Sequence, residues 1–200
     1  MRNKSLLLFI FIVFPALLYS QSVAVVLSGG GAKAFTHIGV LRALEENNIP
    51  IDYIVGNSMG AMVGALYSAG FSPDEIQFLL SDADLYAFKR GNTKIDRFTF
   101  QQFEDDASWI NIPLTFKKGD RISLPFNMYN IQELDYLIME FFAGPSAAAY
   151  YNFDSLMIPF RCVATDIDSS RLVILKHGEL AKAVRASLTF PFFIRPIRID

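Results

Sequence analysis

Apolar and polar positions follow two patterns that alternate along the chain. Residues 23–27 and 51–55 are short apolar runs rich in β-branched side chains, which indicates buried strands. Each run is followed by a helical pattern, which ends near Asn47 after the first run and near Ala69 after the second. In the first helical pattern, apolar residues recur every three positions from Phe35 to Leu44. This alternation predicts an α/β fold with a mainly parallel central sheet and helices on both faces, a three-layer αβα arrangement.

The pattern continues in the rest of the chain. Ser72 and Glu75 form a capping box with Pro73 at the first helical position, so a helix is predicted from there through Leu80. Between residues 82 and 130 the pattern weakens, and aromatic side chains alternate with lysines and arginines. That segment is either an insertion packed over the sheet or a surface for a lipid interface. Beyond it we predict a helix over residues 131–142, capped by Asn130. Two strands over residues 158–165 and 172–176 and a helix over residues 179–187 are predicted to follow.

The first twenty residues are predicted to be a signal peptide. Arg2 and Lys4 precede an apolar run over residues 6–18, and the small Ser20 suits a cleavage site. The run is shorter than the roughly 20 residues that a membrane span needs, and an uncleaved anchor is the alternative. We therefore expect a protein exported to the periplasm, the outer membrane or the cell surface, with residues 21–200 as one domain.

Composition and charge argue against several classes of function. The formal net charge is −2 and no basic stripe is visible, so nucleic acid is not an expected partner. The single cysteine, Cys162, cannot form an internal disulfide and is expected to be a buried small hydrophobe. No group of His, Cys and carboxylates has the spacing of metal ligands, so neither a metal nor another cofactor is expected.

The candidate nucleophile lies in the turn after the second predicted strand. Gly56-Asn57-Ser58-Met59-Gly60 between a strand and a helix has the order of a nucleophile elbow. The turn is so tight that side chains at positions 56 and 60 would collide with neighbouring backbone. Ser58 is then held at a helix N-terminus, where developing negative charge is favoured, and is predicted to be a covalent nucleophile. A simple glycine-rich turn is the alternative.

A second glycine motif, Ser28-Gly29-Gly30-Gly31-Ala32-Lys33, follows the first predicted strand. Its amides can bind an anion, either a nucleotide phosphate or the oxyanion of an acyl intermediate. A dinucleotide site is disfavoured because Ala34 stands where the fingerprint has its third glycine. An oxyanion hole of Gly29, Gly30 and Gly31 beside Ser58 fits better, with Lys33 adding positive charge unless its side chain is only solvated.

Together, residues 28–41 and 56–60 resemble the patatin-like phospholipase family. Residues 161–166 and 183–191 also look like this family, so the resemblance runs from about Val23 to the last residue, and it is closest to bacterial patatins of the outer-membrane type. The resemblance implies a patatin-like domain that hydrolyses esters with a Ser-Asp dyad. Ala34 and Asn57 depart from the family's usual glycine and threonine, and Ala34 is tolerable if its φ is negative.

The general base is not found within this sequence. The resemblance places the dyad aspartate in an Asp-Gly motif, and no Asp-Gly pair occurs here. We therefore expect an incomplete catalytic domain, truncated at its C-terminus and inactive alone, with the base beyond Asp200. Asp200 itself, Asp166 and His177 are less favoured bases, since Asp166 is expected to cap a loop. His37 is expected to be a packed or solvated helical residue.

The two glycine motifs thus predict a serine acyl hydrolase, and the resemblance implies a lipid acyl hydrolase of the phospholipase A or esterase type. Its expected partners are a lipid or phospholipid substrate and a membrane surface. Two alternatives remain open: a membrane-associated binding or scaffold module with a degenerate site, and an acyltransferase that uses the same residues. The sequence carries no prediction of the oligomeric state.

Overall fold

A computed structural model describes residues 22–82, 115–117, 121–123, 132–190 and 193–199. The described strands are β1 (Ala24–Leu27), β2 (Tyr53–Asn57), β3 (Thr115–Lys117), β4 (Arg121–Ser123), β5 (Phe160–Asp166) and β6 (Arg171–Leu175). The described α-helices are α1 (Thr36–Glu46), α2 (Met59–Ser68), α3 (Pro73–Asp82), α4 (Gln132–Ala148) and α5 (Leu180–Ser187). Short 3-10 helices cover Gly31–Phe35 and Phe153–Ser155.

The central sheet has the strand order β1-β2-β5-β6 in the described residues. β1 pairs parallel with β2 and β2 parallel with β5, whereas β6 runs antiparallel to β5. Leu27 lies opposite Gly56, and Asn57 lies opposite Val163. The carboxyl ends of β1, β2 and β5 therefore meet at one edge, where ligands of parallel sheets bind. The predicted α/β class is confirmed, with a mixed sheet whose described pairs are mainly parallel.

Helix α2 is the centre of the core. Its residues Ala61, Met62, Val63, Ala65 and Leu66 are all fully buried, as expected for a helix that is apolar on every side. The helix contacts β1, β2 and β5, and α5 contacts β5 on the same face. The opposite face of the sheet presents the exposed Val26, Leu172 and Ile174. In the described residues α2 and α5 thus pack together on one face of the sheet.

Helix α5 is fixed at both ends. At its start, the Leu180 amide donates to Ser146 Oγ of α4 at 2.8 Å. Near its end, the buried Arg185 guanidinium is bound on three sides: Nε donates to Asp135 of α4, Nη1 to Thr189 Oγ1 and Nη2 to the Arg195 carbonyl. A guanidinium needs such a set of acceptors to be buried. These contacts hold α5 against α4 and against the segment that follows it.

Most predicted elements are found at or near the predicted positions. The capping box of α3 is confirmed: Glu75 accepts from the Ser72 amide at 2.8 Å, and Ser72 Oγ accepts from the Glu75 amide at 3.3 Å. The Ser72 hydroxyl also donates to the Glu75 carboxylate at 2.8 Å, and the bonds from the Ser72 amide and from this hydroxyl lower the pKa of Glu75. Cys162 is buried as predicted. The predicted signal peptide, the Asn130 cap and most of the aromatic segment lie outside the described residues.

Helix α4 differs from its prediction. It was expected to end at Phe142, but it continues to Ala148 through Pro145. Proline removes one helical hydrogen bond, and that loss is offset by tertiary contacts. Phe142 is fully buried, Ala149 is almost so, and Ser146 in this last turn binds the start of α5.

Among the helices that the structure describes, none combines the length and the hydropathy of a membrane span.

Candidate active site

Ser58 lies in the turn that joins β2 to α2. Its backbone has φ 53° and ψ −128°, a left-handed conformation that is rare for a residue with a side chain. Its carbonyl accepts from the amides of Ala61 at 2.8 Å and Met62 at 3.2 Å, which starts the helix. The side chain is half-buried. This strained strand-to-helix turn is the backbone geometry of a nucleophile elbow.

Glycine is required on both sides of Ser58. A Cβ at position 56 would lie 2.5 Å from Ala61 Cα and 2.8 Å from Ala61 N. A Cβ at position 60 would lie 2.3 Å from the Leu27 carbonyl oxygen and 2.5 Å from that of Ser28. These neighbours are backbone atoms, which cannot move aside cheaply. The predicted collision at both positions is confirmed, while Asn57 is exposed and Met59 half-buried.

The glycine-rich loop after β1 lies directly against Ser58. A Cβ at Gly29 would be 2.9 Å from Ser58 Cβ and 3.5 Å from Ser58 Oγ. The loop then turns into a 3-10 helix, where the Lys33 amide donates to the Gly30 carbonyl at 3.2 Å and Gly31 adopts φ 57°. The Lys33 side chain is exposed. Ala34 is buried and is not among the described residues with positive φ, so alanine is tolerated there.

His37 at the start of α1 supports this loop. Its Nε2 lies 2.9 Å from the Ser28 carbonyl oxygen, and because a carbonyl only accepts, Nε2 carries the proton. The sequence suggested a packed or solvated histidine, without a contact to the loop. No local sequence pattern predicts this bond, because it depends on how α1 packs against the end of β1.

Ser187, the last residue of α5, also contacts the elbow. The Ser58 amide donates to Ser187 Oγ at 2.7 Å, and Ser187 Oγ donates to the Val163 carbonyl at 2.6 Å. This serine is 129 residues from Ser58 in the sequence. Sequence reasoning gave it no role, because a serine at a helix end has many ordinary functions. The two serines lie close together only because α5 packs on β5.

The alternative bases considered within the sequence are placed differently. Asp166 ends β5, three residues beyond Val163, and accepts from Ser169 Oγ and from the Asp168 amide. These bonds, that of Ser169 first, lower the pKa of Asp166, so it caps a turn as expected. His177 pairs with Asn152 two residues past Leu175, which lies opposite Cys162. That register places His177 at the amino edge of β5, away from Ser58. Asp200 lies outside the described residues.

The arrangement is therefore a half-buried serine hydroxyl with a glycine loop on one side and a helix N-terminus behind it. Such a site can hold an anionic intermediate on backbone amides while the serine forms a covalent bond. In the described residues no group of His, Cys, Asp and Glu could hold a metal ion.

Comparison with known proteins agrees with this geometry. The sequence profile of a family described as "Patatin-like phospholipase" matches residues 25–200. The chain belongs to the patatin-like phospholipase family. It is 26% identical over 187 residues to patatin-like phospholipase domain-containing protein 6 of Mus musculus. It is 30% identical over 184 residues to an uncharacterized NTE family protein of Mycobacterium tuberculosis.

The coverage of these relatives is uneven. Both matches cover 90% of this chain, but only 11% of the mouse protein and 41% of the mycobacterial protein. This patatin-like chain thus corresponds to one part of each relative. In structure it is similar to a chain in the complex of SpcU with ExoU from the type III secretion system of Pseudomonas aeruginosa, with a TM-score of 0.51 at 19% identity. That match covers 90% of this chain and 41% of the other, and it supports the α/β fold.

Proposed function

We propose that this protein is a serine lipid acyl hydrolase of the phospholipase A or esterase type, with Ser58 as the nucleophile. The observation that carries the proposal is the contact between the two glycine motifs. Gly29 leaves so little space beside Ser58 that a Cβ there would lie 2.9 Å from Ser58 Cβ, and it would be in van der Waals contact with Ser58 Oγ at 3.5 Å. A carbonyl carbon attacked by Ser58 Oγ would therefore place its oxygen near the amides of the glycine loop.

The chemistry follows from these positions. Ser58 Oγ attacks the ester carbonyl and forms a tetrahedral intermediate, whose oxyanion accepts from the amides of Gly29, Gly30 and Gly31. Each such donor typically contributes about 3 kcal/mol, and Lys33 adds positive charge. The serine proton passes to an aspartate base, which we place beyond Asp200, and from there to the departing alcohol. Water activated by the same base then hydrolyses the acyl-enzyme and regenerates Ser58.

The names of the relatives support a lipid ester as the substrate. They include a patatin-like phospholipase domain-containing protein, and the matching family carries the same description. Because this chain matches a small part of these proteins, their activity enters here only as support. We also propose that residues 1–20 direct export and that the enzyme meets its substrate at a membrane surface.

Active-site labelling of the full-length protein tests the proposal. A fluorophosphonate probe followed by peptide mapping should place one adduct on Ser58, and Ser58→Ala should remove both the adduct and the release of fatty acid from phospholipid vesicles. Ser170→Ala is the matched control, because Ser170 is an exposed serine that also has positive φ, at 55°. That variant should label like the parent.

Other outcomes separate the alternatives. A folded full-length protein without an adduct on Ser58 would sink the hydrolase proposal and favour a scaffold with a degenerate site. Labelling of Ser58 together with transfer of the acyl group to an added alcohol in preference to water would identify an acyltransferase.

A further inference from the structure

The backbone amide of the nucleophile has a side-chain partner on a different element. Ser58 N–H donates to Ser187 Oγ at 2.7 Å, and the same hydroxyl donates to the Val163 carbonyl at 2.6 Å. We propose that Ser187 is a positioning residue that fixes the elbow through this two-bond bridge. The proposal rests on the proposed role of Ser58 and adds a residue that has no contact of its own with substrate.

The bridge stands where the pairing of β2 with β5 ends. Asn57, the last residue of β2, lies opposite Val163, and Ser58 is the first residue after the strand. At Ser58 the chain turns with φ 53° into α2, and the Ser58 amide bonds to a side chain of α5. The Ser187 hydroxyl is inserted between that amide and the Val163 carbonyl. It accepts from the one group and donates to the other in a partly buried place, where hydrogen bonds to polar groups matter most.

The hydroxyl itself has little freedom to move. Ser187 is only 9% exposed, and it ends a helix whose second half is held by neighbouring elements. Cys162 Sγ of β5 donates to the Ala183 carbonyl at 3.2 Å, and Arg185, two residues before Ser187, binds three acceptors. The packing of α5 therefore fixes the position of Ser187 Oγ, and the hydrogen bond from the Ser58 amide fixes the turn at Ser58 in the same way.

This arrangement has a consequence for catalysis. Because the Ser58 amide is already bonded, it cannot serve as an oxyanion donor, and its role is to orient the residue that carries Oγ. Loss of the bridge would let the turn relax and move Oγ relative to the amides of the glycine loop. A misplacement of about 1 Å in an active site can lower the rate by about 100-fold.

The experiment compares Ser187→Ala and Ser187→Cys with Ser146→Ala in the full-length protein. Ser146 is a matched control because it is also a buried serine, 5% exposed, whose Oγ accepts a backbone amide, but it lies at the other end of α5. We measure the melting temperature, kcat and KM on phospholipid vesicles, and the rate of fluorophosphonate labelling at Ser58. Hydrogen exchange is measured at the Ser58 amide.

Both Ser187 variants should lower kcat and the labelling rate by about 10- to 100-fold, with KM changed less than about twofold. They should also speed exchange at the Ser58 amide. Ser146→Ala should lower the melting temperature while leaving labelling and Ser58 exchange near the parent values. If Ser187→Ala does not fold, Ser187→Cys, which fills the site with a larger group that is a weaker donor and acceptor, provides the same comparison.

Two results would overturn the proposal. One is unchanged Ser58 exchange in the Ser187 variants. The other is a labelling rate in folded Ser187 variants equal to that of Ser146→Ala, which would reduce Ser187 to a packing role. If the parent protein neither labels nor hydrolyses, the proposed function fails, and hydrogen exchange alone still decides whether Ser187 holds the elbow.

Discussion

At the scale of single residues, the site depends on where the chain can come close to itself. Ser58 holds a conformation that costs of order 1–3 kcal/mol for a residue with a side chain. It is retained because Gly56 and Gly60 let neighbouring backbone pass at distances that exclude a Cβ. Gly60 has the closest approach, since it packs α2 onto the carbonyls of Leu27 and Ser28. The same contact brings the glycine loop beside Ser58.

Substitution of two helical glycines by alanine should therefore have opposite effects. Gly60→Ala places a methyl 2.3 Å from the Leu27 oxygen, so we expect a loss of about 1–3 kcal/mol of stability and loss of Ser58 labelling. Gly39→Ala in α1 meets nothing within 4 Å and should raise stability by about 0.5–1 kcal/mol through helix propensity. Urea unfolding and fluorophosphonate labelling measure both effects. Equal stability of the two variants would contradict the close contact.

At the scale of elements, short hydrogen-bonded links set where strands begin. Asp154 in the 3-10 helix Phe153–Ser155 binds Arg161 of β5 through both carboxylate oxygens, at 2.7 Å and 3.0 Å. The Arg161 guanidinium also lies 5.3 Å from the centroid of the Tyr53 ring on β2. This link joins the segment after α4 to two neighbouring strands. It lies toward the amino end of β5, away from Ser58, so it supports the fold and takes no part in the proposed reaction.

This link should make stability depend on pH in the acid range. The hydrogen bond from Arg161 lowers the pKa of Asp154 below its ordinary value of 3.8. Its contribution is therefore complete above that ordinary value and is lost as the pH falls through the lowered pKa. Melting temperatures from pH 7 down to pH 3 should show this loss in the parent, and Asp154→Asn should lower the melting temperature at pH 7 and flatten the acid part of the curve. Asp168→Asn, at an exposed turn, serves as the control. A parent-like acid curve in Asp154→Asn would refute the assignment.

At the scale of the whole molecule, α2 and α5 cover one face of the sheet, and the site forms where the carboxyl ends of β1 and β2 meet. Because each strand–turn–helix unit carries its own glycine motif, both turns could be predicted from local sequence, as could the capping box at Ser72. Long-range contacts could not. The bonds of Ser187 join segments that only packing brings together, and α4 extends past Pro145, where Ser146 binds α5. The bond of His37 to Ser28 spans only nine residues, but it depends on how α1 packs against the loop.

Cys162 offers one reporter for that packing. It is the only cysteine in the sequence, its side chain is fully buried between β5 and α5, and burial raises its pKa to about 12. Attack on a thiol reagent requires the thiolate, so in the native state the Cys162 thiol is neither accessible nor ionised enough to react. At pH 8 we expect iodoacetamide to modify Cys162 only through unfolding, with a rate that rises with urea concentration in parallel with global unfolding.

The same measurement tests whether α5 opens by itself. Ser170→Cys supplies an exposed thiol in the same molecule, and peptide mapping separates the two sites. That thiol should react at once, whereas modification of Cys162 should wait for unfolding. If Cys162 instead reacts quickly in native buffer without a urea dependence, α5 lifts from β5 in a local opening. Because Ser187 is carried by α5, such an opening would also release the Ser58 amide, and the turn at Ser58 would be dynamic and not fixed.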